Sequence, residues 1–100
     1  MPLSNDGAAL RLKDDDDVAV VLRALEPGNA VRFGETVVVA AAAIPSGHKI
    51  ALRAIDAGAL IRKYGQVIGR ASMPIASGEH VHVHNVEGTR GRGDLAEATP

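Results

Sequence analysis

Apolar and polar positions alternate from Val81 to His84 in VHVHNV, residues 81–86, and a period of two predicts a β-strand. In such a strand Val81 and Val83 face the core, while His80, His82 and His84 project together on the other side. The run VAVVLRAL, residues 18–25, fits either a strand or a helix capped by Asp17. Strand is favoured, because Val18, Val20 and Val21 lose rotamer freedom in a helix and Pro27-Gly28 ends the run early. TVVVAAAAI, residues 36–44, fits a strand with a small-residue end or a short helix, and its pattern does not decide between them. Ala9 to Leu12 predict the start of the first strand.

Between these runs one spacing recurs. An aliphatic residue is followed three positions later by glycine and then by another aliphatic residue, in LEPGNAV, IPSGHKI, IDAGALI and IASGEHV. Gly28, Gly47, Gly58 and Gly78 each fall where a tight turn needs a positive φ, and Pro27 and Pro45 pre-set two of the turns. The flanking aliphatics anchor each turn to a core. Turns this frequent predict a mostly-β fold of short strands joined by long winding connections.

One hundred residues with 46% hydrophobic content make one domain with its own core. Residues 1–8 are small and polar and read as a flexible arm. The ordered domain is expected over 9–87, and GTRGRGDLAEATP, residues 88–100, reads as a tail. Phe33 and Tyr64 are the only aromatic residues, so the core is aliphatic, which again favours β-branched strands. A net charge of −1, with no aromatic platforms between basic residues, argues against nucleic acid as a partner. The absence of cysteine excludes a disulfide, a thiolate metal site and a catalytic thiol. MPLSNDGAALRL lacks the basic flank and apolar run of a signal peptide, and no segment has the length of a membrane span. No membrane association and a cytoplasmic location are therefore expected.

The chain has four histidines, and three of them lie at every second position of GEHVHVHN. A half-buried strand could present histidine to solvent merely as a polar residue, but Thr, Lys or Glu would serve equally well. Three functional uses stay open: metal ligation, acid/base work near neutral pH, and hydrogen bonding to an acidic or hydroxylated ligand. Imidazoles two residues apart can tilt towards one ion, so two of His80, His82 and His84 suit a metal, whereas all three on one ion would strain the geometry. His48, in IPSGHKI, reads by itself as a surface turn residue, and Lys49 beside it can pair with a carboxylate ligand. DDDD, residues 14–17, lacks the alternating ligands and glycine of a calcium loop and reads as a solvated turn. The RGD at Arg92 to Asp94 is a weak match; Arg90 and Arg92 suit acidic groups on a partner better.

These residues together resemble a known family. GHKIALRAIDAGALIRKYGQVIGRASMPIASGEHVHVHNVE, residues 47–87, is similar to the N-terminal segment of the altronate and galactarate dehydratase family, and the resemblance covers about residues 9–94. The family pattern has an Asp-Asn-Val-Ala-Val-like start, then Ile-Pro-x-Gly-His-Lys, then Lys-Tyr-Gly-x-x-Ile-Gly, then Gly-Glu-His-Val-His-x-His-Asn. Each element occurs here in order, except that Asp17 stands where the pattern has Asn.

The resemblance implies a SAF domain of β-clip type. It implies removal of water from sugar acids to give 2-keto-3-deoxy acids, with the large catalytic part on another chain. The sequence resembles a separately encoded small subunit, as in the related sulfolactate sulfo-lyase. On this reading His48, His80, His82 and His84 are the catalytic candidates, Lys49, Tyr64 and Asn85 the substrate-binding ones, and His82 and His84 the metal ligands. The expected cofactor is a divalent metal ion, iron or manganese, whose binding can require the partner. The expected partners are a large dehydratase subunit and a small sugar acid, and a homo-oligomer is compatible. The alternatives are a sulfolactate sulfo-lyase small subunit, a sugar-acid-binding or assembly module without chemistry, and an autonomous metal-binding protein.

Overall fold

One hydrogen-bonding pattern occurs twice in succession through the computed structural model, which describes Leu3, Ser4 and residues 6–88. The first copy begins with β2 (Val18–Val21), after the short β1 (Ala9–Leu10), and continues through the hairpin of β3 (Ala30–Phe33) and β4 (Thr36–Val39). The second begins with β5 (Lys49–Ala51) and continues through the hairpin of β6 (Leu60–Lys63) and β7 (Gln66–Ala71). Two short strands close the chain, β8 (His80–Val81) and β9 (Val86–Glu87).

Each copy is pinned by a pair of buried aliphatics. Leu25 and Ile44 exchange both backbone hydrogen bonds at 2.9 Å in the first, and Ile55 and Ile75 exchange theirs at 2.8 and 2.9 Å in the second. The glycine turns that follow these anchors also match. Gly28 N–H donates to Ala40 C=O and Gly58 N–H to Ala71 C=O; Gly47 N–H donates to Val21 C=O and Gly78 N–H to Ala51 C=O. The four glycines have φ between +85° and +93°, as the recurring spacing predicts. At Gly78 the space is restricted as well, because an added Cβ would collide with the Val39 carbonyl oxygen.

Strands β1-β2-β5-β8 form one antiparallel sheet, β3-β4 a separate hairpin, and β6-β7-β9 a third sheet. The core divides into two clusters, and the four-stranded sheet contributes to both. Val21, Leu25, Val31, Phe33, Ile44 and Ile50 belong to one buried cluster, and Val18, Ile55, Ile61, Ile75 and Val81 to the other. Burying an aliphatic side chain of this size stabilises a fold by roughly 1.5–3 kcal/mol, so the anchors that fix the turns also supply much of the core.

The mostly-β expectation is met, and no helix occurs among the described residues. The run 18–25 is a strand only as far as Val21; Leu22 is exposed, and Leu25 returns as an isolated bridge to Ile44. TVVVAAAAI is a strand through Val39 and bends afterwards.

Two expectations need correction. VHVHNV does not continue as a strand: β8 stops at Val81, residues 82–85 turn, and Val83 is 81% exposed and not in the core. DDDD is not wholly solvated, because Asp16 is completely buried. Its carboxylate accepts from the backbone N–H groups of Lys13, Tyr64 and Gly65 at 3.2, 2.9 and 2.8 Å, tying this segment to the β6–β7 turn. Asp17, the departure from the family pattern, accepts from Arg62 N–H at 2.8 Å.

Within the segment read as an arm, Leu3 bridges Leu10 and the Ser4 hydroxyl accepts from Ala9 N–H at 3.0 Å. The tail at 88–100, with Arg90, Arg92 and Asp94, lies outside the described residues apart from Gly88.

Candidate functional site

Strand pairing brings the histidines together. In the antiparallel pair β5·β8, Lys49 lies opposite Val81 and Ile50 opposite His80. One step further along this register His48 comes opposite His82, and their rings stack with centroids 3.9 Å apart and planes 17° from parallel. His80 stands diagonally across from His48, within reach of a side chain this long. Its Nε2 lies 2.8 Å from His48 Nδ1. The ligating nitrogens of His48, His80 and His82 all fall within 4.8 Å of one another.

His82 reaches this cluster from a turn and not from the alternation of a strand. Asn85, almost fully buried, builds that turn. Its Oδ1 accepts from His82 N–H at 2.9 Å, its Nδ2 donates to His80 C=O at 2.9 Å, and its own N–H donates to His82 C=O at 3.1 Å. The amide of Asn85, expected to bind substrate, is thus engaged with the backbone that carries two of the histidines. His84 is exposed, with its ring 5.2 Å from His80 and tilted by 44°. It lies outside the group of three potential ligands, whereas His48, by its local sequence a plain turn residue, lies inside it.

Two clefts border the cluster. One, of about 320 Å³, includes His80, His84, Asn85 and Glu79 in its lining; the other, of about 240 Å³, includes His82, Lys49 and Lys63. Tyr64 lines neither; it occupies the β6–β7 turn at φ 57°, with the Lys63 ammonium 5.0 Å from its ring centroid. Lys63 escaped the sequence reading. Its only signal was its place before Tyr64 in the Lys-Tyr-Gly motif, and its meeting with Lys49 is made by tertiary folding.

Burial, reinforced by His48, His84, His82 and Lys49, holds His80 below the usual histidine range. His82 is lowered for the same first reason, with His48, Lys49 and His84 adding to it. Lys49 is lowered by burial and by the Lys63 charge. Tyr64 is raised by burial and by the Asp16 carboxylate, so its phenol keeps its proton.

The donor set fits a divalent transition metal. Neutral imidazole is the ligating form, lowered values at His80 and His82 favour that form at neutral pH, and three nitrogens on one face leave positions for other ligands. His48, His80 and His82 are the residues that would hold it.

Fold and site together define a small β-stranded domain that gathers three imidazoles beside two lysines. Residues 7–89 match the altronate/galactarate dehydratase SAF domain, and the chain belongs to that family. It is 37% identical over 78 residues to altronate dehydratase of Bacillus subtilis, a match covering 78% of this chain and 16% of that protein. Altronate dehydratase of Escherichia coli is 44% identical over 70 residues, covering 70% and 14%. The alpha subunit of (2R)-sulfolactate sulfo-lyase from Paracoccus pantotrophus is 45% identical over 51 residues, covering 51% and 76%. The chain therefore spans only a small part of the dehydratases it matches. Among the described residues no helix is long and apolar enough to cross a membrane.

Proposed function

We propose that this chain is the small subunit of a sugar-acid dehydratase, contributing its histidine cluster to an active site that a large subunit completes. The observation that carries the proposal is the convergence of His48, His80 and His82 on one face, with nitrogens within 4.8 Å. The match covering 76% of a protein named as a subunit supports a separate small chain, and the matches covering 14–16% of the dehydratases support a much larger remainder to the enzyme.

Dehydration of a hydroxy acid requires removal of the proton beside the carboxylate and protonation of the departing hydroxyl, which leaves as water. Imidazoles that stay neutral at pH 7 suit the first step, and a neighbouring ring that has taken up a proton suits the second. A divalent metal, iron or manganese, would supply Lewis-acid stabilisation of the negative charge that develops in between. His84 lines the neighbouring cleft together with Glu79 and His80.

The test is turnover of hexonates, hexarates and sulfolactate by the purified chain with and without its large partner. The expected result is activity only with both; full activity of the chain alone refutes the proposal. A second reading, the small subunit of a sulfolactate sulfo-lyase, is favoured by the 76% coverage of the Paracoccus subunit. In the same assay it predicts that sulfolactate is consumed and that hexonates and hexarates are not. A purely assembling role predicts that replacing His82 and His84 by alanine abolishes association with the partner; lost turnover with association intact excludes it.

A further inference from the structure

The cleft beside His82 joins residues from separate parts of the chain: Lys49 from β5, Lys63 from β6, and an apolar wall of Ile68, Val83 and Val86. Both lysines are half-buried. None of the ion pairs Arg11–Asp14, Arg23–Asp6 and Arg53–Asp17 involves either lysine. Two ammonium groups facing one cleft without a carboxylate repel each other, and an anion between them reverses the sign of that interaction. The position of Lys63 is also set in advance. Asp16 clamps the adjoining turn through Tyr64 N–H and Gly65 N–H, and the Tyr64 ring lies against the Lys63 ammonium.

We propose that Lys49, Lys63 and His82 form a binding site for the carboxylate of a small organic acid, with Lys63 as its specificity-determining cation. The two ammonium groups and the imidazole take the carboxylate oxygens by charge-assisted hydrogen bonds. Ile68, Val83 and Val86 cover the carbon skeleton next to it, a surface that a bare inorganic oxyanion would not use. The identification of the acid as a hydroxy acid rests on the dehydratase reading; the anion site itself does not. Since His82 belongs both to this cleft and to the imidazole group, an acid held here lies beside the three histidines.

The experiment is a titration of the full chain, in chelator and at low ionic strength, with gluconate, galactarate, acetate and sulfate. Binding is followed through backbone amide shifts, which also report that the chain is folded. Gluconate or galactarate is expected to shift the residues of the cleft saturably. Lys63→Gln is expected to weaken that binding about tenfold or more, the loss of one charge-assisted hydrogen bond, while Arg32→Gln on the separate β3–β4 hairpin leaves it unchanged. Lys63→Arg should restore part of it. Absence of binding by the folded chain, equal binding by Lys63→Gln, or binding of sulfate to the exclusion of the organic acids overturns the proposal. Turnover with the partner together with binding insensitive to Lys63 sinks the site and spares the dehydratase. Lysine-dependent binding without turnover does the reverse.

Discussion

His48 Nδ1 lies 2.8 Å from His80 Nε2, a separation at which one nitrogen donates and the other accepts. Which ring donates is set by its tautomer, and the contact has room for one proton between the two nitrogens. Three imidazoles packed with centroids between 3.9 and 5.6 Å apart are a costly arrangement for positive charge. An ion that accepts their lone pairs, or a substrate that takes and gives their protons, gives the same packing a chemical use.

Metal binding should therefore depend on His48 and His80 and much less on His84. Titration of the chain with manganese or ferrous ion, read by calorimetry, is expected to show one site. His80→Ala should weaken it by at least about a hundredfold, since loss of even an outer-shell partner costs roughly 10–100-fold. His84→Ala should change it only a few-fold. A larger loss for His84→Ala than for His80→Ala would show instead that His82 and His84, the pair two residues apart, are the ligand set.

Asp16 ties its own segment to the β6–β7 turn through three backbone N–H groups. Burial pushes its carboxyl up, but N–H groups of Gly65, Lys13, Tyr64 and Leu12 outweigh that and hold it below the usual aspartate value of 3.8. A group depressed in the folded state contributes stability that is fully present above its unfolded value and lost as pH falls through the folded one. Urea midpoints of the native chain should thus decline from about pH 4 downward. Asp16→Asn should be less stable at pH 7 and lack that part of the decline. Asp16→Ala leaves three backbone donors without an acceptor and should cost about 3 kcal/mol or more.

Gly78 and Gly28 separate two demands on a turn glycine. At φ +93°, with open space where a Cβ would point, Gly28→Ala should cost about 1–2 kcal/mol, the penalty of the left-handed conformation alone. Gly78→Ala meets the Val39 carbonyl in addition, two residues before His80. It should be clearly more destabilising in thermal melts than Gly28→Ala; equal losses would mean that the Val39 segment yields freely.

The turns were legible in the sequence because a positive φ is a local requirement that glycine reports directly. The aliphatic anchors were legible for a related reason, since Leu25, Ile44, Ile55 and Ile75 recur at fixed distance before each glycine. What escaped was non-local. Nothing in DDDD marks Asp16 as the residue that reaches Tyr64 and Gly65, and nothing near His48 says that β5 will pair with β8. The histidine ledge was anticipated by the wrong mechanism: alternation suggested a strand, whereas Asn85 turns the chain and brings His82 onto His48.

The turn at residues 82–85 makes that difference measurable. A continuous strand would bury Val81 and Val83 alike, whereas the observed turn buries Val81 fully and leaves Val83 81% exposed. Val81→Ala should destabilise the chain by about 1–3 kcal/mol, and Val83→Thr by less than about 0.5 kcal/mol. Asn85→Asp keeps the acceptor for His82 N–H but removes the donor to His80 C=O, and Asn85→Ala removes both. Urea unfolding should rank the native chain above Asn85→Asp and that above Asn85→Ala, the last about 2 kcal/mol below native. Imidazole resonances of His82 and His80 should move in the same order. If Val83→Thr proves as damaging as Val81→Ala, the segment is a strand after all, and the stacking of His82 on His48 must be given up with the turn.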